Sequence, residues 1–225
     1  MSSRARVPLR GLIGHWAVRY AIAKSGTWMD LSGNGHDATL NNDVEGVFNN
    51  VSPYVTFPGA VNDYASAGTG FANFQKTDPF TICHWFTKTG TASVASISKN
   101  TTLGWVLSER TGALYFGLYA EGGIGGYSAY VVGPYNNGKW YHVACSYDGS
   151  QSWTGIRIRV NGAETSENVQ NNTNPGTQPD ANVIFGGRDN AESRLPWVGK
   201  LDDILIYNRV LSLEEIQKIY WDTKH

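Results

Sequence analysis

Short apolar runs recur about every 8–15 residues, and turn residues separate them. In SPYVTFPG, Tyr54 and Thr56 alternate with Val55 and Phe57. That period of two predicts a strand with one face in a core. The same reading gives strands at GLIGHWAV, at Ala38–Leu40, Phe80–Lys88, Ala92–Lys99, Leu103–Arg110, Ala113–Ala120 and Trp140–Tyr147, and in NVIFGG and VGKLDDILIYN. In the run 155–160, Ile156, Ile158 and Val160 face one way and Arg157 and Arg159 the other. Asn161-Gly162 then supplies a type I′ hairpin turn. The polar stretch 166–182, with five Asn, two Gln and two Pro, reads as a long surface loop. Only the end reads as helical. Ser212 as N-cap with Glu215 three residues on forms a capping box for a short helix reaching about Trp221.

Composition narrows the class. The 225 residues are 41% hydrophobic, only 16% charged and 12% aromatic, with 26 Gly. So many glycines with so few charges exclude a coiled coil or helical bundle, and the apolar content excludes disorder. No linker or internal repeat interrupts the strand pattern, so one large all-β domain is expected, preceded by a basic arm: residues 1–12, then 13–225. Cys83 and Cys145 lie in apolar strand-like runs and read as buried thiols, a single disulfide remaining open. No run is long enough for a membrane span, and no secretory signal is visible.

The net charge of −1 is unevenly placed. Residues 1–29 carry five basic side chains and no carboxylate, a balance of +5. The remainder holds thirteen basic and nineteen acidic residues, a balance of −6. Arg4, Arg6 and Arg10 form an arm suited to an acidic partner, or a solvated tail. The body has no basic cluster of the kind a nucleic-acid face needs.

Three segments, GHWAV…DLSGNGHDATL (14–40), PFTICHWF…GKWYHVACSYDG…IRIRVNGAE (79–164) and FGGRDNAESRLPWVGKLDDILIYNRVLSLEEIQKIY (185–220), together resemble the laminin-G-like, concanavalin A-like jelly-roll family. The third is the most specific: a Gly-x-Leu-Asp-Asp strand, Tyr-Asn-Arg-x-Leu-Ser, then a capped helix. The stretch AVRYAIAKSGTW after Trp16 departs from the family's usual acidic segment. The resemblance implies an antiparallel jelly-roll sandwich of two sheets, one concave, with a short C-terminal helix. It also implies a structural Ca²⁺ held by Asp30, the Asn34 and Gly35 carbonyls, and Asp202. Calcium suits such oxygen donors. The alternative for the same loop is a metal-free turn that Asp30 caps by hydrogen bonding.

Catalysis is not expected. Sandwich glycosidases place two carboxylates at the cleaved bond, and no Glu-x-Asp-x-x-Glu run occurs. Asp202 and Asp203 are expected on opposite strand faces. No nucleophile elbow or zinc-protease helix is present. Aromatic rings do offer a glycan platform, because sugars stack on them while Asn and Asp bond hydroxyls. Trp105, Tyr119, Tyr127, Tyr130, Tyr135 and Trp153 are the candidates, whereas Trp16, Trp85, Trp140 and Tyr207 read as core.

Two functions fit these features. One is a non-catalytic structural, decoration or adhesion protein of a virus particle, as in bacteriophages. Its arm would dock on an acidic capsid or tail surface, its copies would form a homo-oligomer, and its surface would bind host glycans. The other is a lectin module of a larger secreted protein.

Overall fold

The computed structural model describes residues 7–18, 22–23, 26–48, 52–90, 94–99, 104–119, 126–188 and 195–224. Arg4 and Arg6 lie outside the described residues. The expected sandwich forms, and every strand pairing is antiparallel.

The first sheet has seven strands. Its path runs β14 (Ile156–Val160), β13 (Tyr141–Tyr147), β8 (Phe80–Lys88), β17 (Gly199–Tyr207), β6 (Tyr54–Phe57), β5 (Glu45–Val47). The strand β1 (Leu12–Trp16) joins β17 beyond β6. The second sheet has ten strands. Its path runs β15 (Asn168–Asn172), β12 (Gly126–Val132), β11 (Ala113–Tyr119), β10 (Gly104–Arg110), β9 (Val94–Lys99), β16 (Val183–Phe185), β7 (Ala65–Ser66), β4 (Ala38–Leu40), β3 (Thr27–Trp28), β2 (Ile22–Ala23).

The inward-facing side chains make one core, including Trp16, Trp28, Phe57, Phe80, Phe86, Phe116, Phe185 and Trp197. Rings meet edge to face, as with Trp16 and Phe185 at 4.8 Å. Indole N–H groups inside such a core need acceptors. Trp16, Trp105 and Trp197 donate to the carbonyls of His36, Ala72 and Thr87 at 2.9–3.0 Å.

A second apolar layer covers the back of the seven-stranded sheet. There Cys83, Ala144, Leu205 and Tyr207 pack under Leu211, Ile216 and Ile219, the last two on the helix α1 (Leu213–Asp222). Val7 joins this layer. The capping box is as the sequence predicts, with Ser212 and Glu215 bonded reciprocally. Arg209 grips Glu215 with two nitrogens, at 2.7 and 2.6 Å. The cysteines are both free and buried. Cys83 faces the helix and Cys145 the main core, so the sheet separates their sulfurs.

Several expectations change. Part of the stretch read as a loop forms β15, which pairs with β12 at the sheet edge. Its sequence NVQNN has no apolar alternation because neither of its faces enters the core, so periodicity missed it. The alternation at Asp202-Asp203 is also broken. The β8–β17 register slips there, and Asp203 adopts a φ of 45°. Both carboxylates are consequently buried beside β1. Trp140 is half-buried, its ring 6.1 Å from Tyr54, instead of lying in the core.

Candidate functional site

Strand register assigns the two faces of the large sheet. Leu107, Phe116 and Ala129 are paired neighbours across β10, β11 and β12, and all three point into the core. The alternate positions therefore face away from the inter-sheet core, where Ser98, Val106, Ser108, Tyr119 and Ser128 are nonetheless buried and Tyr115 and Tyr130 half-buried. One outward row is Ser98, Val106, Gly117, Ser128 and Asn171, and the next is Ser108, Tyr115, Tyr130 and Asn168. At Gly117 a Cβ would stand 2.4 Å from the Ser128 Cβ, so glycine is what lets β11 and β12 approach there.

This outward face holds a constellation of rings and cations. The half-buried Tyr115 and Tyr130 are stacked, with centroids 5.1 Å apart and planes 22° from parallel. The Arg110 guanidinium lies 4.9 Å from the Tyr115 centroid, and its Nε donates to Ser108 Oγ at 3.3 Å. Tyr119 is buried and donates to Gln170 Oε1 at 3.2 Å, and Asn171 donates to Ser128 at 3.4 Å. Ser98 donates to the Gly187 carbonyl, which draws the segment before Arg188 across this face.

Arg188 feels the charge of Arg110 and the Tyr119 hydroxyl, and its buried Nε has no hydrogen-bond partner among the described residues. Burial, and then the Arg110 charge, push its guanidinium below the ordinary arginine value. Burial pushes the Tyr119 hydroxyl up, and the Arg110 and Arg188 charges oppose that shift. Among the described residues, no carboxylate is within ion-pair distance of Arg110 or Arg188.

Only part of the expected aromatic platform is here. Tyr119 and Tyr130 are on this face. Trp105, Tyr127 and Tyr135 are buried in the core between the sheets, at 1%, 7% and 7% exposure, and present no ring to a ligand. Trp105 sits on a strand with apolar residues on both faces, and Tyr135 lies in the connection after β12, so composition did not reveal which rings turned inward. Trp153 is half-buried against the core, at a 3-10 turn held to Asn172. Tyr115, Arg110 and Arg188 were missed. Tyr115 precedes Tyr119 by four positions on one strand and must share its face. Arg188 lies in a loop that no motif marks.

The residues expected to hold calcium are arranged as a cap. Asp30 Oδ1 accepts the His15 and Ser32 N–H groups, both at 2.9 Å. Its Oδ2 accepts Ser32 Oγ at 2.8 Å and the His36 N–H at 3.1 Å. Asn34 is exposed and turns its amide toward the Leu12 and Ile13 carbonyls, and Gly35 is exposed beside it. Asp202 is buried and accepts the Val18 N–H at 2.8 Å. Four donors aimed at one carboxylate do not fit a calcium cage, which needs lone pairs aimed at the ion. Among the described residues, no group of three or more His, Cys, Asp or Glu could hold a metal ion. Asp30→Ala should cost about 3 kcal/mol by orphaning these donors. EDTA should leave the melting temperature unchanged. A large EDTA shift would return the loop to calcium.

Arg10 is exposed, and its carbonyl accepts the Arg209 Nε at 2.8 Å. No helix of the described residues is long and apolar enough to cross a membrane.

The geometry defines a jelly-roll sandwich of the lectin type, backed by a helix on one sheet and bearing an aromatic-cationic face on the other. The chain belongs to the Concanavalin A-like lectin/glucanases superfamily, whose laminin G model matches residues 58–217. Among solved structures it is similar to the binding domain of Paraclostridial Mosquitocidal Protein 1, at 17% identity and a TM-score of 0.71. That match covers 93% of this chain and 52% of the other. It is also similar to the binding domain of botulinum neurotoxin serotype D, at 14% identity and 0.70, covering 94% and 51%. A third similar structure, at 14% identity and 0.72, is of botulinum neurotoxin type C, which depends on interaction with two ganglioside molecules to enter cells. Its match covers 96% and 52%. The chain thus spans about half the length of these neighbours, and at such identities the likeness is one of fold alone. No curated protein matches the sequence.

Proposed function

We propose that this domain is a non-catalytic binding module that recognises surface glycans through the outward face of its ten-stranded sheet. The observation that carries this reading is the half-buried Tyr115–Tyr130 stack. With Arg110 over Tyr115, the stack offers the outer face of the Tyr130 ring to a sugar, within a rim of hydroxyl, amide and guanidinium groups. The face residues named above include no carboxylate. Glycoside hydrolysis needs two. Membership of the lectin/glucanase superfamily and likeness to toxin binding domains, one of which interacts with gangliosides, support the saccharide-binding part of this reading.

A glycan array is the direct test. The wild-type domain should bind a defined saccharide set, and Tyr115→Ala with Tyr130→Ala should lose at least tenfold in affinity while the melting temperature moves little. Binding that survives the double substitution would remove the site.

A second reading keeps the particle-surface role, in which the basic arm docks on an acidic capsid or tail protein. It is favoured by Val7, which anchors the base of the arm in the apolar layer under α1. Deleting residues 1–6 should abolish co-sedimentation with particles. Undiminished incorporation would defeat this reading.

A further inference from the structure

Two guanidiniums share one outward face without a carboxylate partner among the described residues. That arrangement has a cost in the free protein. Like charges repel, and burial takes solvation away from Arg188. What the fold supplies instead is neutral: the Tyr115 ring against Arg110, Ser108 Oγ, and the Tyr119 hydroxyl. A cation over a ring is held in place and keeps its full charge. Among the described residues the buried Arg188 Nε has no acceptor, so one N–H is ready to donate at no expense to a described internal bond. An anion between the two side chains would relieve the repulsion and satisfy that donor together. Guanidinium suits this role because its planar fork meets the paired oxygens of a carboxylate or sulfate.

We infer that Arg110 and Arg188 form the anion subsite of an acidic-glycan site, taking the carboxylate or sulfate of a saccharide whose ring lies on Tyr130, the outer ring of the tyrosine stack. This rests on the glycan reading above and narrows it to one substrate class. Tyr119, Gln170 and Asn171 line the adjoining strands and contribute hydroxyl and amide groups for the sugar's own hydroxyls. The tyrosine stack gives ring affinity that neutral and acidic sugars share, and the arginines give the preference between them.

The experiment uses the full chain on matched panels: neutral saccharides, the same cores bearing sialic acid or a uronate, and the same cores bearing sulfate. The acidic members should bind at least tenfold more tightly, with affinity falling as salt is raised. Arg188→Gln and Arg110→Gln should each erase most of that preference, weakening the acidic members far more than the neutral ones, by the loss of one charge-assisted contact. Arg188→Lys should restore part of it, which a merely structural role would not require. The carboxylate and sulfate arms separate the two anion sources. Equal binding of neutral and acidic panels, unaltered by the arginine substitutions, overturns the anion subsite and leaves the glycan module standing. Binding of no saccharide on any panel overturns both.

Discussion

Glu109→Ala should destabilise the domain by about 3–5 kcal/mol, the usual consequence of removing one member of a buried ion pair. Glu109 lies on β10 and Lys88 at the end of β8, so their 2.7 Å contact ties one sheet to the other. Both side chains are buried, and the same Glu109 oxygen also accepts the Gly112 N–H at 2.7 Å. Truncation would strand the Lys88 charge and orphan that N–H at once. The revealing comparison is the double variant Lys88→Met with Glu109→Gln, which keeps an acceptor for Gly112 and leaves no charge inside. It should recover most of the loss, because a buried pair's Coulomb gain is largely offset by desolvation. Denaturant unfolding of the wild type and the two variants measures this. A Glu109→Ala cost below about 1 kcal/mol, the value for an exposed pair, would show that water screens the contact.

Acid should destabilise the domain almost as strongly. His84 and His142 are fully buried, and their ring nitrogens have no hydrogen-bond partners among the described residues. Burial pushes each imidazole down from 6.5 to about 3, and for His84 the neighbouring His142 adds to this. The unfolded chain then binds more protons than the folded one below pH 6.5. Stability is therefore full above that value and falls as the pH drops toward about 3. At pH 5 each ring should contribute a loss of about 2 kcal/mol, or about 4 kcal/mol for both. The rings stand on opposite faces of the seven-stranded sheet. His84 alternates with Ile82 and Phe86 on the core side, and His142 meets Trp85 at 5.4 Å and Tyr220 of α1 at 5.9 Å. Chemical denaturation at pH 7.5 and pH 5 should reveal the loss, and His142→Gln should roughly halve it. A flat profile across this range would mean that water or partners reach both rings.

The sandwich was legible because its signals are local and repeated. Alternation in YVTF, turn chemistry at Asn161-Gly162 and the Ser212–Glu215 capping box each depend on residues close in sequence, and each reappears in the structure. The site was less legible. Its members come from β10, β11, β12, β15 and the segment ending at Arg188, and only strand register brings them together. Trp105 and Tyr119 look alike as aromatic residues in apolar strands, yet one points into the core and the other out. Apolar residues on both faces of β10, such as Val106 and Leu107, conceal that difference. The Asp30 loop shows another limit: its composition suits either a cation or a ring of N–H donors. Only the directions of the His15, Ser32 and His36 donors separate the two.

The helix α1 and Val7 occupy the same side of the sandwich, on the back of the seven-stranded sheet. The tyrosine-arginine face lies on the opposite side, beyond both layers. A tether leaving the molecule beside either anchor would thus hold it with the tyrosine-arginine face turned outward. Immobilised copies would present that face in parallel, and under the glycan reading proposed above weak single contacts would add to a multivalent grip whenever their spacing matched that of the target.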